Sequence, residues 1–273
     1  MIKKIFLLIL LLCSPVYGQW QNGLKPLLGQ QIDWSNPLSK GLVGYWLMNE
    51  GSGNTVQDLS GNGRHGTFLG TNTTLATGKF GPCLNFNGTA DRVAYPAFDS
   101  GPAISISAWI MSNAWDGDDT ILSQMRTVFA VRGGGASLYF YPDADEAPIS
   151  YTHTFTVGQW YHVAVSFSAA QDYIMAIDGV VVASGTSGSD LDRVAYGSGI
   201  GTLGTTSWPF KGNIDNLLLY NRALSASEIQ QLYREPFQMV RTRRRRVIFD
   251  EIAGVPPTSS PYYYREIASR RIA

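Results

Sequence analysis

The sequence predicts an all-β sandwich, and three observations support this fold class. Short stretches of alternating apolar and polar residues recur along most of the chain. Turn-forming Gly, Asn and Asp separate these stretches roughly every 8–12 residues, the spacing of short antiparallel strands. Glycine is abundant, with 29 residues, and only 15% of residues are charged, which suits a large core linked by many turns.

The individual strands follow from local composition. Residues 42–47 are predicted to open the fold as a strand because they contain the β-branched Val43 and the aromatic Tyr45 and Trp46 among apolar neighbours. Residues 103–111 alternate as a strand that is buried on one face. Asp178-Gly179 separates two apolar runs and is a strong signal for a tight hairpin. The other strand candidates share this composition: 83–86, 92–95, 121–124, 128–132, 137–141, 159–167, 199–203 and 210–220.

One helix is predicted near the end of the strand series. Ser225 and Glu228 have the spacing of a capping box, in which each side chain bonds the other residue's backbone N–H. Ile229, Leu232 and Tyr233 then form a short apolar face. We expect this helix to plug one end of the sandwich.

The chain divides into four predicted regions. Residues 1–18 have the charged start, short apolar run and small cleavage-site residues of a secretory signal, and the run is too short to span a bilayer. We therefore expect no membrane span and a secreted, extracellular or cell-surface location. Residues 19–40 are a polar lead-in, 41–233 the domain, and 234–273 an Arg-rich, Pro-containing tail predicted to be flexible.

The number of cysteines and the balance of charged residues exclude some classes of function. Cleavage after Gly18 would leave Cys83 as the remaining cysteine, which excludes an internal disulfide and favours a small buried residue. Residues 19–233 carry 10 Lys+Arg against 17 Asp+Glu, so nucleic acid is not expected as a partner. Residues 234–273 carry 9 Arg against 4 Asp+Glu. That tail is interpreted as a solvated segment, a linker to an assembly partner, or a binder of anionic polymers.

The loop after the first strand suggests a cation site. Glycines there permit sharp turns, and oxygen-bearing side chains lie between them. A hard cation such as Ca²⁺ requires oxygen ligands of this kind. The oxygen-bearing residues are Asn49, Glu50, Asn54, Asp58, Ser60 and Asn62.

Seven motifs in order resemble a laminin G-like domain of the concanavalin A-like lectin/glucanase superfamily. They are WLMNEGSG (46–53), DLSGNGRHGT (58–67), GPCLNFNG (81–88), SISAWI (105–110), GQWYHVAVSF (158–167), IDGVVVAS (177–184) and FKGNIDNLLLYNRALSASEI (210–229). The resemblance spans about residues 42–233 and implies a jelly-roll sandwich of two antiparallel sheets. It also implies a secreted, surface or virion module that binds glycans or proteins, often with a structural Ca²⁺.

The resemblance also implies a ligand set for calcium. It brings Asp58 and Asn62 near Asp215 of the final strand, with backbone carbonyls around Gly63 and His65 completing the shell. Glu50 is a further candidate. The alternative reading is that Asp58 and Asn62 only cap turns.

Aromatic residues beside acids suggest a glycan-binding site. Their rings could stack on sugars while the carboxylates accept hydrogen bonds from hydroxyls. The residues are Trp115, Asp116, Asp118, Tyr139, Tyr141 and Trp208. The alternative is that Trp115 and Trp208 simply cover an open end of the sandwich.

Catalytic patterns are not found. The E-x-D-x-x-E arrangement that would place carboxylates on one strand face is missing, and the nearest acidic run, 143–146, reads as an exposed loop between prolines. We therefore predict a secreted, non-catalytic binding or adhesion module of the lectin type, recognising a carbohydrate or glycoprotein surface. The alternatives are a structural protein of a cell envelope or virus particle, and a diverged glycoside hydrolase.

Overall fold

Two eight-stranded antiparallel sheets make up most of the described part of the chain, so the predicted all-β jelly-roll sandwich is confirmed. The structure is a computed structural model that describes residues 25–70, 75–115, 117–143, 145–192, 198–204 and 207–241. The predicted signal peptide, the start of the lead-in and residues 242–273 of the tail lie outside the described residues.

The first sheet, sheet I, is built from eight short strands. They are β3 (Thr55–Val56), β4 (Gly66–Leu69), β7 (Arg92–Ala94), β9 (Asp119–Gln124), β10 (Thr127–Arg132), β11 (Ser137–Tyr141), β12 (Ile149–Thr152) and β16 (Ser198–Ile200). Their order across the sheet is β12-β11-β10-β9-β16-β7-β4-β3.

The second sheet, sheet II, contains the longer central strands. They are β2 (Leu42–Trp46), β5 (Leu75–Thr77), β6 (Pro82–Asn87), β8 (Ile104–Ser112), β13 (Tyr161–Phe167), β14 (Asp172–Ile177), β15 (Val180–Thr186) and β17 (Lys211–Tyr220). Their order is β15-β14-β13-β8-β17-β6-β5, and β2 also pairs with β17. A separate two-stranded ribbon joins β1 (Gln31–Ile32) to β18 (Val240–Arg241).

Two local predictions are confirmed in detail. Asp178 and Gly179 have φ values of 49° and 75°, the paired left-handed conformation of a tight hairpin turn between β14 and β15. The capping box opens helix α1 (Ala226–Arg234): the Ser225 hydroxyl accepts from the Glu228 amide, and the Glu228 carboxylate accepts from the Ser225 amide at 2.9 Å. Arg222 adds an ion pair to Glu228 at 2.6 Å.

The main core lies between the two sheets. Strand alternation directs one set of side chains inward from each sheet, and these residues form a single apolar cluster. Trp46, Phe129, Phe140 and Phe167 are among its largest members, and each is at most 1% exposed. Cys83 is fully buried with a free thiol, as predicted.

A second apolar layer covers the outer face of sheet II. Leu218 and Tyr220 of β17 pack there against Ile229 and Leu232 of α1. The helix therefore covers a sheet face, and the prediction that it plugs an end of the sandwich is wrong. The reason is that its two buried side chains meet outward-facing residues of the central strands.

The C-terminal segment after the helix belongs to this same layer. Phe237, Met239 and Val240 are at most 4% exposed, and Ile32 and Leu38 of the lead-in pack with them. The packed region therefore continues to Arg241, past the predicted boundary at Tyr233, because β18 pairs with β1 of the lead-in. None of the described helices is long and apolar enough to cross a membrane.

Candidate functional site

The outer face of sheet I carries a small aromatic group. On β10 and β11, Phe129, Val131, Leu138 and Phe140 point into the main core, so their neighbours point outward. Those neighbours form a separate cluster with two residues of the loop after β16. The cluster contains Val128, Ala130, Tyr139, Tyr141, Leu203 and Trp208. The described helix and terminal segments pack on sheet II, whereas on this face of sheet I Val128, Ala130 and Tyr141 are buried and Tyr139 and Trp208 are half-buried.

Arg132 lies at the centre of the group. Its Nη2 donates to Asp118 Oδ2 at 2.7 Å, and its Nη1 donates to the Tyr141 hydroxyl. The guanidinium carbon lies 4.4 Å from the ring centre of Trp208 and 5.4 Å from that of Tyr139. These distances are within the range of cation–π attraction, which fixes the rings around the guanidinium.

The three rings form one aromatic cluster, in which Tyr141 is buried and Tyr139 and Trp208 are half-buried. Tyr139 and Tyr141 stand two residues apart on β11, with ring centres 6.1 Å apart and planes inclined by 17°. Tyr141 and Trp208 are 5.9 Å apart at 44°. We call Asp118, Arg132, Tyr139, Tyr141 and Trp208 the aromatic–arginine platform.

Trp208 is held in a constrained conformation. Its φ is 50°, in the left-handed region that a bulky residue rarely adopts, at a cost of roughly 1–3 kcal/mol. Its carbonyl accepts from the Thr120 amide at 3.0 Å, and Ser207 pairs with Leu203. Backbone bonds to β9 and across the loop thus place the indole beside Arg132.

The charges within the platform balance. The hydrogen bond from Arg132 lowers the pKa of Asp118, and the same contact raises the pKa of Arg132, so both remain ionised as a pair. Burial raises the pKa of Tyr141, whose phenol stays neutral. The platform is therefore an apolar surface with a fixed fork of donors and no net charge.

The structure brings together four of the six residues predicted to bind a ligand: Asp118, Tyr139, Tyr141 and Trp208. Trp115 is not among them and packs at the core edge, 5.5 Å from Phe155 and 6.2 Å from Phe210. Gly135 makes room for it, since a Cβ there would lie 2.6 Å from the indole. Asp116 lies outside the described residues.

Arg132 was missed by the sequence reasoning. The signal for it was present, because Val128, Ala130 and Arg132 alternate with core residues and the outward face therefore ends in an arginine. What the sequence lacked was the pairing of β10 with β11, which sets Arg132 against Ser137 and beside the two tyrosines.

The predicted calcium ligands are used differently in the structure. Asp58 Oδ1 accepts from the amides of Tyr45 and Ser60, and Oδ2 accepts from the Ser60 hydroxyl and the Arg64 amide, all at 2.8–2.9 Å. The hydrogen bonds of this carboxylate therefore connect the loop to β2. His65 Nδ1 accepts from the Asp58 amide at 3.1 Å.

Asp215 is paired with a lysine. Its side chain is fully buried, and the equally buried Lys25 ammonium lies 2.5 Å from Oδ1 and also donates to the Pro82 carbonyl. Oδ2 accepts from the amides of Lys79 and Phe80. Burial raises the pKa of Asp215, and the positive charge of Lys25 opposes this increase.

The residues present do not fit a calcium ion shared by Asp58 and Asp215. Asn62, Gly63 and His65 are exposed, whereas Asp215 is fully buried, and both carboxylates already have internal donors. No group of three His, Cys, Asp or Glu side chains within the described residues could hold a metal. The Lys25 ammonium occupies the position beside Asp215, and calcium binding by the predicted set stays a prediction.

The chain belongs to a known superfamily. A family model described as concanavalin A-like lectin/glucanases superfamily matches residues 87–230, more than half of the chain. No curated protein matches the sequence.

Several solved structures share the fold. Domain 4 of AbnA, a GH43 extracellular arabinanase from Geobacillus stearothermophilus in complex with arabinotriose, is 24% identical over 70% of this chain and 98% of that chain, with a TM-score of 0.56. The binding domain of Paraclostridial Mosquitocidal Protein 1 is 15% identical over 73% of this chain and 53% of that chain, with a TM-score of 0.55.

A mutant of Trypanosoma rangeli sialidase displaying trans-sialidase activity is 19% identical over 74% of this chain, with a TM-score of 0.56. The matched region spans only 34% of that chain. At these identities the likeness extends to the fold, which occurs in binding domains and in parts of enzymes.

Proposed function

We propose that this chain is a secreted, non-catalytic module that binds carbohydrate, free or on a glycoprotein, on the aromatic–arginine platform. The observation that carries the proposal is the cluster of three rings around Arg132 on the outer face of sheet I, where Tyr139 and Trp208 are half-buried. Sugar rings have apolar C–H faces that pack on aromatic rings, and their hydroxyls accept hydrogen bonds from fixed donors.

The relatives support this reading. One solved domain of the same fold is in complex with arabinotriose, and another is the binding domain of Paraclostridial Mosquitocidal Protein 1. The predicted signal sequence agrees with a secreted module.

The non-catalytic part of the proposal rests on the platform chemistry. A glycosidase general acid needs a raised pKa, whereas the Arg132 contact lowers the pKa of Asp118. The acidic loop identified in the sequence is engaged elsewhere, since Arg126 pairs with both Asp145 and Asp192.

A glycan array tests the platform. We expect Trp208→Ala to weaken binding by about 5- to 30-fold, since a buried aromatic anchor contributes about 1–2 kcal/mol. Arg132→Lys keeps the charge but loses the planar fork, so it should also weaken binding. Val180→Ala, on an exposed position of β15, is the matched control and should bind as the unmodified chain does.

Two results would overturn the proposal. Unchanged binding of every glycan by Trp208→Ala would place the site elsewhere. Release of reducing sugar from arabinan or sialyllactose by the unmodified chain, lost in Asp118→Asn, would mean that the protein is an enzyme.

A further inference from the structure

A cleft lies at the opposite edge of the molecule from the platform. Its walls are residues 28–34 of the lead-in and residues 50–61 of the loop after β2, and its volume is about 780 Å³. This is the size of a small-molecule site. The cleft includes Thr55 of β3, the edge strand of sheet I, which lies five strand spacings from β10. At roughly 4.8 Å per spacing the two places are about 24 Å apart.

Trp34 supplies an apolar surface in this cleft. It is 57% exposed, and one edge of its ring rests over Gly61, where a Cβ would stand 3.7 Å away. The neighbouring backbone is fixed, because the Asp33 amide donates to the Met239 carbonyl at 2.7 Å and Asp33 pairs with Arg241 at 3.2 Å. An exposed tryptophan on a rigid support offers stacking area at little entropic cost.

Four of the six uncharged polar side chains in the lining, which also includes Ser52 and Thr55, are carboxamides. Each amide provides a donor and an acceptor without net charge, the combination that matches neighbouring hydroxyls. Within the described residues, none of their side chains has a hydrogen bond, and the Gln30 Oε1 atom is buried without a partner. The four residues are Gln30, Gln31, Asn54 and Gln57.

The charged groups around the cleft are occupied. Arg241 is paired with Asp33, and both Asp58 oxygens accept hydrogen bonds from the loop. Glu50 accepts from the Gln57 amide at 2.7 Å. A charged ligand would have to compete with these contacts, whereas a neutral one would not.

We infer that this cleft is a second binding site, for a neutral oligosaccharide that stacks on Trp34 and bonds the surrounding carboxamides. The site is independent of the platform, since no residue is shared. A chain with both sites would hold a branched or long glycan at two points and gain avidity.

The test compares variants of the full chain on an array of neutral and acidic glycans. Trp34→Ala and the double variant Asn54→Ala/Gln57→Ala should each weaken a set of neutral glycans at least tenfold. Trp208→Ala should leave part of that set bound. Leu27→Ala is the matched control, because Leu27 is 76% exposed on the same lead-in but outside the cleft lining.

The outcomes separate this site from the platform. If Trp34→Ala binds glycans as well as the unmodified chain does, the cleft is refuted as a binding site, and the proposal for the platform is unaffected. If Trp34→Ala weakens the binding of acidic glycans alone, the proposal of a site for neutral oligosaccharides is also refuted. If Trp34→Ala loses glycan binding and Trp208→Ala does not, the cleft is supported as a binding site and the platform is refuted. If the unmodified chain binds no glycan on the array, both sites are refuted. Each variant should have a melting temperature within about 2 °C of the unmodified chain, since an exposed side chain contributes little to stability. Such a result excludes unfolding as the cause of weaker glycan binding.

Discussion

Replacing Lys25 with methionine should destabilise the fold by about 3–5 kcal/mol, the cost of leaving a buried charge without its partner. The Lys25 side chain is 3% exposed and that of Asp215 is fully buried, with 2.5 Å between the charged atoms. Methionine keeps the apolar stem of the lysine but removes the ammonium. The Asp215 carboxylate would then keep only its two amide donors, from Lys79 and Phe80.

The loss should depend on pH. Burial holds the pKa of Asp215 above its ordinary value even with Lys25 present, and removing the lysine raises it further. An acid with a raised pKa in the folded state favours folding below its unfolded pKa of about 3.9, and this contribution disappears as pH rises through the folded pKa. The Lys25→Met variant should therefore lose more stability at pH 8 than at pH 5.

Urea unfolding at both pH values measures these differences. Lys40→Met, an exposed lysine on the same lead-in, is the control and should change stability by less than about 0.5 kcal/mol. Adding Asp215→Asn to Lys25→Met should recover much of the loss, because both charges are then gone. A loss below about 1 kcal/mol in Lys25→Met, with no recovery in the double variant, would refute the reasoning.

The response of the melting temperature to calcium is a second test of the Lys25–Asp215 pair. Since Lys25 supplies the positive charge beside Asp215, the melting temperature of the unmodified chain should be the same in EGTA and in excess CaCl₂. A rise in CaCl₂ that Asp215→Asn abolishes would show that the ion displaces the lysine.

Three further predictions concern single buried or capping groups. Burial lowers the pKa of His162 to about 3, so stability should fall as pH drops from about 6.5 toward 3, by about 1.4 kcal/mol per pH unit, and His162→Gln should flatten this decline in urea unfolding. Burial raises the pKa of the Cys83 thiol to about 12, so a thiol reagent at pH 8 should label it only in urea, and rapid labelling without urea would contradict the buried position. Ser225→Ala should cost about 1 kcal/mol in urea unfolding because the helix cap is lost, whereas Gln230→Ala on the same helix should be nearly neutral.

Local features were predictable from the sequence. Strand alternation, the Asp178-Gly179 hairpin and the Ser225 cap are encoded within a few residues, so neighbouring side chains alone determine them. The same locality let the sequence place Tyr139 and Tyr141 on one face of a strand. The sequence also identified Asp118 and Trp208 as candidate ligand-binding residues in loops between strands.

The tertiary structure decided which distant residues meet. Trp115 looked like a ligand-binding residue, but Gly135 and Phe155 give it a place at the core edge. Arg132 became the centre of the platform only through pairing of β10 with β11. Lys25 and Asp215 are separated by most of the chain, and a buried carboxylate takes whichever cation the fold brings to it. The sequence therefore determined the sandwich and its turns, whereas strand order and the packing of the chain ends determined the sites.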